Sequence, residues 1–143
     1  MRYLVATDGS EESDEAVRFA TTQAAALDAS LVIVHVLQPE ATLSGGELIL
    51  PGGDKATEIG NQLLEQAKQL AVQSVDESVE DLSIETQLLA GRPADAITEH
   101  AQETDADAIY VGHRGLSEER EQVVGSVAKN VIDKATVPVT VTR

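Results

Sequence analysis

Residues 31–37 read LVIVHVL, a β-branched apolar run broken only by His35. Its length suits a strand, and the lack of polar alternation suits one buried on both faces, as in a parallel sheet covered by helices. Before it, RYLVAT (2–7) is a second such run, ending at Asp8-Gly9-Ser10. Between the two, Ala16, Val17, Ala20, Ala24 and Leu27 recur at helical spacing. After it, residues 38–53 hold two prolines and four glycines and read as a long mobile loop. A second helix is predicted from Lys55 to Val75, with Ile59, Leu63, Ala67, Leu70 and Ser74 on one face.

The remaining strands differ from one another in a way that sets the topology. In LSIETQLL (82–89), Leu82, Ile84, Thr86 and Leu88 alternate with polar residues, the pattern of a strand with one wet side. Gly91-Arg92-Pro93 opens a third helix, with proline in the first turn. DAIYVG (107–112) is again a buried run, and a fourth helix begins near Gly125. VPVTVT (137–142) carries Pro138, which removes a ladder donor and belongs at an edge. Helix and strand alternate from end to end, so the prediction is one α/β domain, residues 1–143. Its five-stranded parallel sheet has helices on both faces. Placing the wet third strand and the proline-bearing fifth outside gives the order 3-2-1-4-5. Ligands then lodge at the switch point between strands 1 and 4.

Composition excludes several functions. There is no cysteine, which removes disulfides, thiolate catalysis and zinc–thiolate sites. His35, His100 and His113 form no closely spaced pair and read as ordinary polar or packing residues. Acids outnumber bases 25 to 10, a net charge of −15 that repels nucleic acid and acidic membrane surfaces. The excess is spread along the chain, as in a folded protein adapted to high salt, where roughly molar salt shortens the screening length to about 3 Å. An ordinary acidic protein is the alternative. No apolar run is long enough for a transmembrane helix, and MRYLVATDGS does not resemble a signal peptide, so a cytoplasmic protein is expected.

Two turns face the predicted crevice. Thr7-Asp8-Gly9-Ser10 runs into Glu11, Glu12, Asp14 and Glu15. Those carboxylates occupy the positive end of the helix, with Ser10 as N-cap, and leave no place for phosphate. The turn also lacks the glycine patterns of dinucleotide folds and P-loops. The second turn holds Gly112, Gly115, Gly125 and Ser126 in the spacing G-x2-G-x9-G-S. Glycines permit close backbone approach, and Gly125-Ser126 opens a helix whose N–H groups and Ser126 hydroxyl would face an anion. Arg114 would add a fixed positive charge. Turn glycines with an N-cap serine are the bland alternative.

Taken together, Thr7-Asp8, His35-Val36, Gly91 with Pro93, the G-x2-G-x9-G-S run and the terminal PVTVT resemble the universal stress protein family, nucleotide-binding type, over the whole length. The resemblance implies a Rossmann-like, adenine nucleotide alpha hydrolase-like fold that binds ATP or another adenine nucleotide. Asp8, with Thr7 beside it, would hold the ribose or adenine side, and the backbones of Ala6 and Val36 would flank the base. Gly112, Gly115, Gly125, Ser126 and Val127 would bind ribose and phosphates, with Arg114 as the cation. His113-Arg114 replaces a pair that often begins with serine in the family. Glu118, Glu119 and Glu121 in the x9 segment either point to solvent or weaken triphosphate binding, and a shared Mg2+ would reconcile both readings.

No catalytic constellation is visible. The leading reading is a nucleotide-binding stress or regulatory protein with at most slow ATP hydrolysis. A slow ATPase or phosphotransferase, and a dimeric interaction module with a vestigial site, are the alternatives. Val137, Val139 and Val141 lie on an edge strand that no lysine or glutamate guards, so a homodimer through residues 137–142 is expected, as the resemblance also implies.

Overall fold

The computed structural model describes residues 1–38, 42–44, 47–49, 53–76, 81–113 and 124–143, with backbone alone at 42–44 and 47–49. In chain order the elements are β1 (Arg2–Ala6), α1 (Glu11–Ala26), β2 (Ser30–Leu37), β3 (Thr42–Ser44), β4 (Glu47–Ile49), α2 (Asp54–Gln73), β5 (Ile84–Ala90), α3 (Pro93–Glu103), β6 (Ala108–Gly112), α4 (Ser126–Lys134) and β7 (Val139–Thr142). The main sheet runs β5-β2-β1-β6-β7 with every pairing parallel. That is the expected order 3-2-1-4-5. β1 is central: the chain goes first to β2 and β5 on one side of it and then crosses to β6 and β7 on the other.

Both edges follow from their sequences. On β5, Ile84 and Leu88 pack toward α2 while Glu85, Thr86 and Gln87 are exposed. Pro138 lies just outside β7, and its carbonyl accepts the Ile109 N–H at 2.9 Å. The stretch expected to be an irregular loop holds instead a small antiparallel ladder, Thr42↔Ile49 to Ser44↔Glu47. The residue types agree with this, since Thr42 and Ile49, paired across the ladder, are both strand-favouring.

Alternation along the strands sorts side chains into two cores. Tyr3 and Val5 of β1, with Leu31 and Ile33 of β2, pack against Ala16 and Ala20 of α1 and Leu64 and Ala67 of α2. Leu4, Val34, Ile109 and Val111 face Ile97 of α3 and Ala128 and Val131 of α4. Alanine dominates the helix stripes, so the helices sit close to the sheet without aromatic bulk. Leu4, fully buried, contributes roughly 1.5–3 kcal/mol. α3 and α4 are also joined at the surface by the Lys134–Asp95 ion pair, which holds the Asp95 carboxyl below the usual range.

Both α1 and α3 end in a left-handed cap at a position that usually carries glycine. Ala29 N–H reaches Ala24 O and Ala106 N–H reaches Ala101 O, each at 2.8 Å. The left-handed position is occupied by Asp28 (φ 55°) and Asp105 (φ 54°). An L-residue there is strained, and at the end of α1 no basic residue in the last turn offsets the Asp28 carboxylate against the helix dipole. Asp28→Gly is expected to stabilise the fold by about 1 kcal/mol. Thermal unfolding checks this, and the electrostatic share of the gain should fade in molar salt.

Candidate functional site

The turn between β1 and α1 is closed by its own side chains. Ser10 caps α1 by accepting the Ser13 N–H at 3.2 Å, and Gly9 takes φ 84°. Ser13 donates its hydroxyl proton to the Ser10 carbonyl at 2.9 Å, because a carbonyl can only accept. The 3.2 Å contact between the Thr7 and Ser13 hydroxyls therefore runs from Thr7 to Ser13. Asp8 N–H also reaches Ser13 Oγ (3.3 Å), Gly9 N–H reaches Thr7 Oγ1 (3.2 Å), and Ser10 N–H reaches Asp8 Oδ1 (3.0 Å). Thr7 N–H is taken by Val34 O at 2.9 Å, within the sheet. Every backbone donor from Thr7 to Ser10 is thus committed within the protein. What this turn offers a ligand is acceptors, chiefly the Asp8 carboxylate.

The same end of α1 is electronegative. Burial raises the Asp14 carboxyl above its ordinary value; Arg18 opposes this, and Asp8, Glu15 and Glu11 add to it. His35 anchors the turn from β2. Its Nδ1 lies 2.8 Å from the Thr7 carbonyl, so Nδ1 carries the proton.

The opposite wall is built by the end of β6 and the start of α4. A Cβ on Gly112 would lie 2.7 Å from the Glu12 carbonyl carbon and 2.8 Å from Ser13 N. This glycine is therefore required by the close approach of the first turn of α1, whatever it does toward a ligand. His113 follows, buried, with no partner for its Nε2 among the described residues; its backbone N–H donates to Thr142 O and its carbonyl accepts the Gly125 N–H at 2.7 Å. Two expectations are corrected here. The N-cap of α4 is Gly125, not Ser126, and the Gly125 N–H points at His113 rather than at a ligand. The first N–H groups of a helix have no carbonyl inside the helix to meet, and Gly125, as N-cap, has no side chain to offer them. Val127 and Ala128, in that turn, line the cleft between the walls.

The cleft is a cavity of about 110 Å3 at the carboxyl ends of β1, β2 and β6. Ala6, Thr7, Asp8 and Val36 line one side, Gly112, Gly125 and Val127 the other, with Pro93 and Ile97 of α3 between. These include most of the predicted site residues. Ser126 is exposed and outside the lining, while Arg114 and Gly115, like Glu118, Glu119 and Glu121, fall outside the described residues. Ser13 lines the cavity and had no place in the sequence-based site. The available signal was its spacing from the N-cap, Ser10-x-x-Ser13. Among the described residues no cluster of three or more His, Asp or Glu suited to a metal gathers, and no helix is long and apolar enough to cross a membrane.

Comparison with known proteins places this architecture. The model of the Universal stress protein family matches residues 1–143. The universal stress protein YxiE of Bacillus subtilis is 32% identical over 146 residues, covering 99% of this chain and 98% of that protein. A universal stress protein in complex with cAMP is 29% identical and superposes with a TM-score of 0.72, covering 100% of this chain and 96% of the other. The universal stress protein of Archaeoglobus fulgidus in complex with dAMP is likewise 29% identical, with a TM-score of 0.76 over 100% and 98% of the two chains.

Proposed function

Because the chain belongs to the universal stress protein family, we propose that it binds an adenine nucleotide in the β1–β6 cleft and acts as a dimeric sensor or switch in a stress response. The observation that carries this reading is the unlike character of the two walls. The Asp8 turn presents an acceptor and no backbone donor, which suits ribose hydroxyls or an amino group. The start of α4 is a helix N-terminus bordering the cleft, which suits phosphate. The base lies between the backbones of Ala6 and Val36, the ribose near Thr7 and Asp8, and the phosphate toward Gly125, Ser126 and Val127. Gly112 borders that end. Relatives solved with cAMP and dAMP support an adenine monophosphate as the first ligand to test.

Titration calorimetry with AMP, ATP and inorganic triphosphate tests this, in low and molar salt. Asp8→Ala should weaken AMP and ATP by about 1–3 kcal/mol and leave triphosphate unchanged. Equal losses for all ligands would assign Asp8 a purely structural role. Magnesium-dependent turnover of ATP would move the reading to a slow ATPase or phosphotransferase.

The dimer would form at β7, which pairs with β6 and ends the sheet. Pro138 O and Thr142 O face β6, so by alternation the backbone groups of Val139 and Val141 face outward. Val141→Pro removes an outward N–H while keeping an apolar side chain and the β6 ladder. Light scattering should report a dimer for the unmodified protein and a monomer for this variant, with nucleotide binding retained.

A further inference from the structure

Ser13 meets the Asp8 turn through three hydrogen bonds of its hydroxyl, and it stands in the wall of the cleft. It is buried, and its hydroxyl oxygen is saturated. It donates to Ser10 O and accepts from Asp8 N–H and from the Thr7 hydroxyl. The hydroxyl therefore ties residues 7, 8 and 10 to the first turn of α1 through one atom. Asp8 in turn holds the Ser10 N–H with Oδ1, and that bond fixes the rotation of a carboxylate that lines the cavity. An N-cap alone would not need this arrangement. Ser10 already caps α1 through the Ser13 N–H, so the Ser13 hydroxyl is surplus to helix initiation. What it adds is control over where Asp8 sits relative to the opposite wall. The Ser13 N itself lies against Gly112, so the same residue sets the width of the cleft.

We propose that Ser13 is the positioning residue of the nucleotide site: its hydroxyl holds the Asp8 backbone and the Thr7 side chain so that the Asp8 carboxylate meets the ribose or amino group of the ligand. The proposal rests on the nucleotide-binding reading above and deepens it. Ser13 does not reach the phosphate end, because its hydroxyl proton is taken by Ser10 O. Its influence runs through Asp8, and it should vanish when Asp8 is absent.

A double-mutant cycle reads this directly. AMP and inorganic triphosphate are titrated into the full chain as wild type, Ser13→Ala, Asp8→Ala and the double variant, with unfolding midpoints recorded for each. Ser13→Ala is expected to weaken AMP about tenfold when Asp8 is present and less than about twofold when it is not, leaving triphosphate unchanged. Equal AMP losses in both backgrounds, or a matching loss for triphosphate, would overturn the role of Ser13 while leaving the nucleotide site standing. A wild type that binds neither AMP nor ATP would overturn both. If Ser13→Ala does not fold, Thr7→Val breaks the same ring from the other side. It should show the same dependence on Asp8, and an additive result there overturns the proposal equally.

Discussion

Gly112→Val is expected to destabilise the protein by at least about 3 kcal/mol, more than any surface change in this fold. The atoms a new side chain would meet are backbone atoms of Glu12 and Ser13, at 2.7–2.9 Å. A crowded side chain can rotate away, but these atoms belong to the first turn of α1, whose cap and hydrogen bonds fix them. Relief would require α1 to lift from β6, breaking the Thr142 Oγ1 bond to the Glu12 carbonyl and opening the core around Val17 and Tyr110. Urea unfolding measures the effect. A midpoint shift worth less than about 0.5 kcal/mol would mean that α1 does not sit on Gly112 as described.

Gly125→Val should separate binding from folding. Gly125 has φ −61° and ψ 156°, values open to any residue, so its backbone does not need glycine. It is buried and lines the cleft at the start of α4. An isopropyl group there occupies space that a phosphate would need, while the Gly125 N–H bond to His113 O can survive. Binding of AMP and ATP should fall by two orders of magnitude or more, roughly 3 kcal/mol, with circular dichroism unchanged. Unaltered affinity would move the phosphate away from α4.

The contrast between these glycines shows where sequence reading reached its limit. Both sit in one motif and look alike on paper, yet Gly112 answers to a neighbouring helix, whereas Gly125 lines the cleft in a backbone conformation open to any residue. Spacing reports that a glycine is required, but not which neighbour requires it. The strand order was legible because Pro138 and the alternation of residues 82–89 are local signals of edge position. The β3–β4 hairpin was not, since three-residue strands among glycines and prolines are too short to show a period. An N-cap serine at 126 was the natural alternative because serine is a common cap, whereas here Gly125 takes that position and turns its N–H to His113. Ser13 escaped notice because its spacing from the N-cap is a weak signal on its own, and its importance lies in a ring of hydrogen bonds within the turn that only the folded chain closes.

Thr142 donates to a carbonyl 130 positions earlier in the chain, and β1, made first, becomes the centre of the sheet only when β6 arrives. On a ribosome adding roughly 5–20 residues per second, the Asp8 turn waits seconds for its opposite wall. Throughout that interval one side of β1 is an unpaired edge, open to any passing strand. A ligand that needs both walls cannot bind a nascent or truncated chain. It binds finished molecules alone, and by mass action it protects those molecules from unfolding. Nucleotide supply would then act as quality control, holding complete copies in the folded pool and leaving incomplete ones to proteolysis.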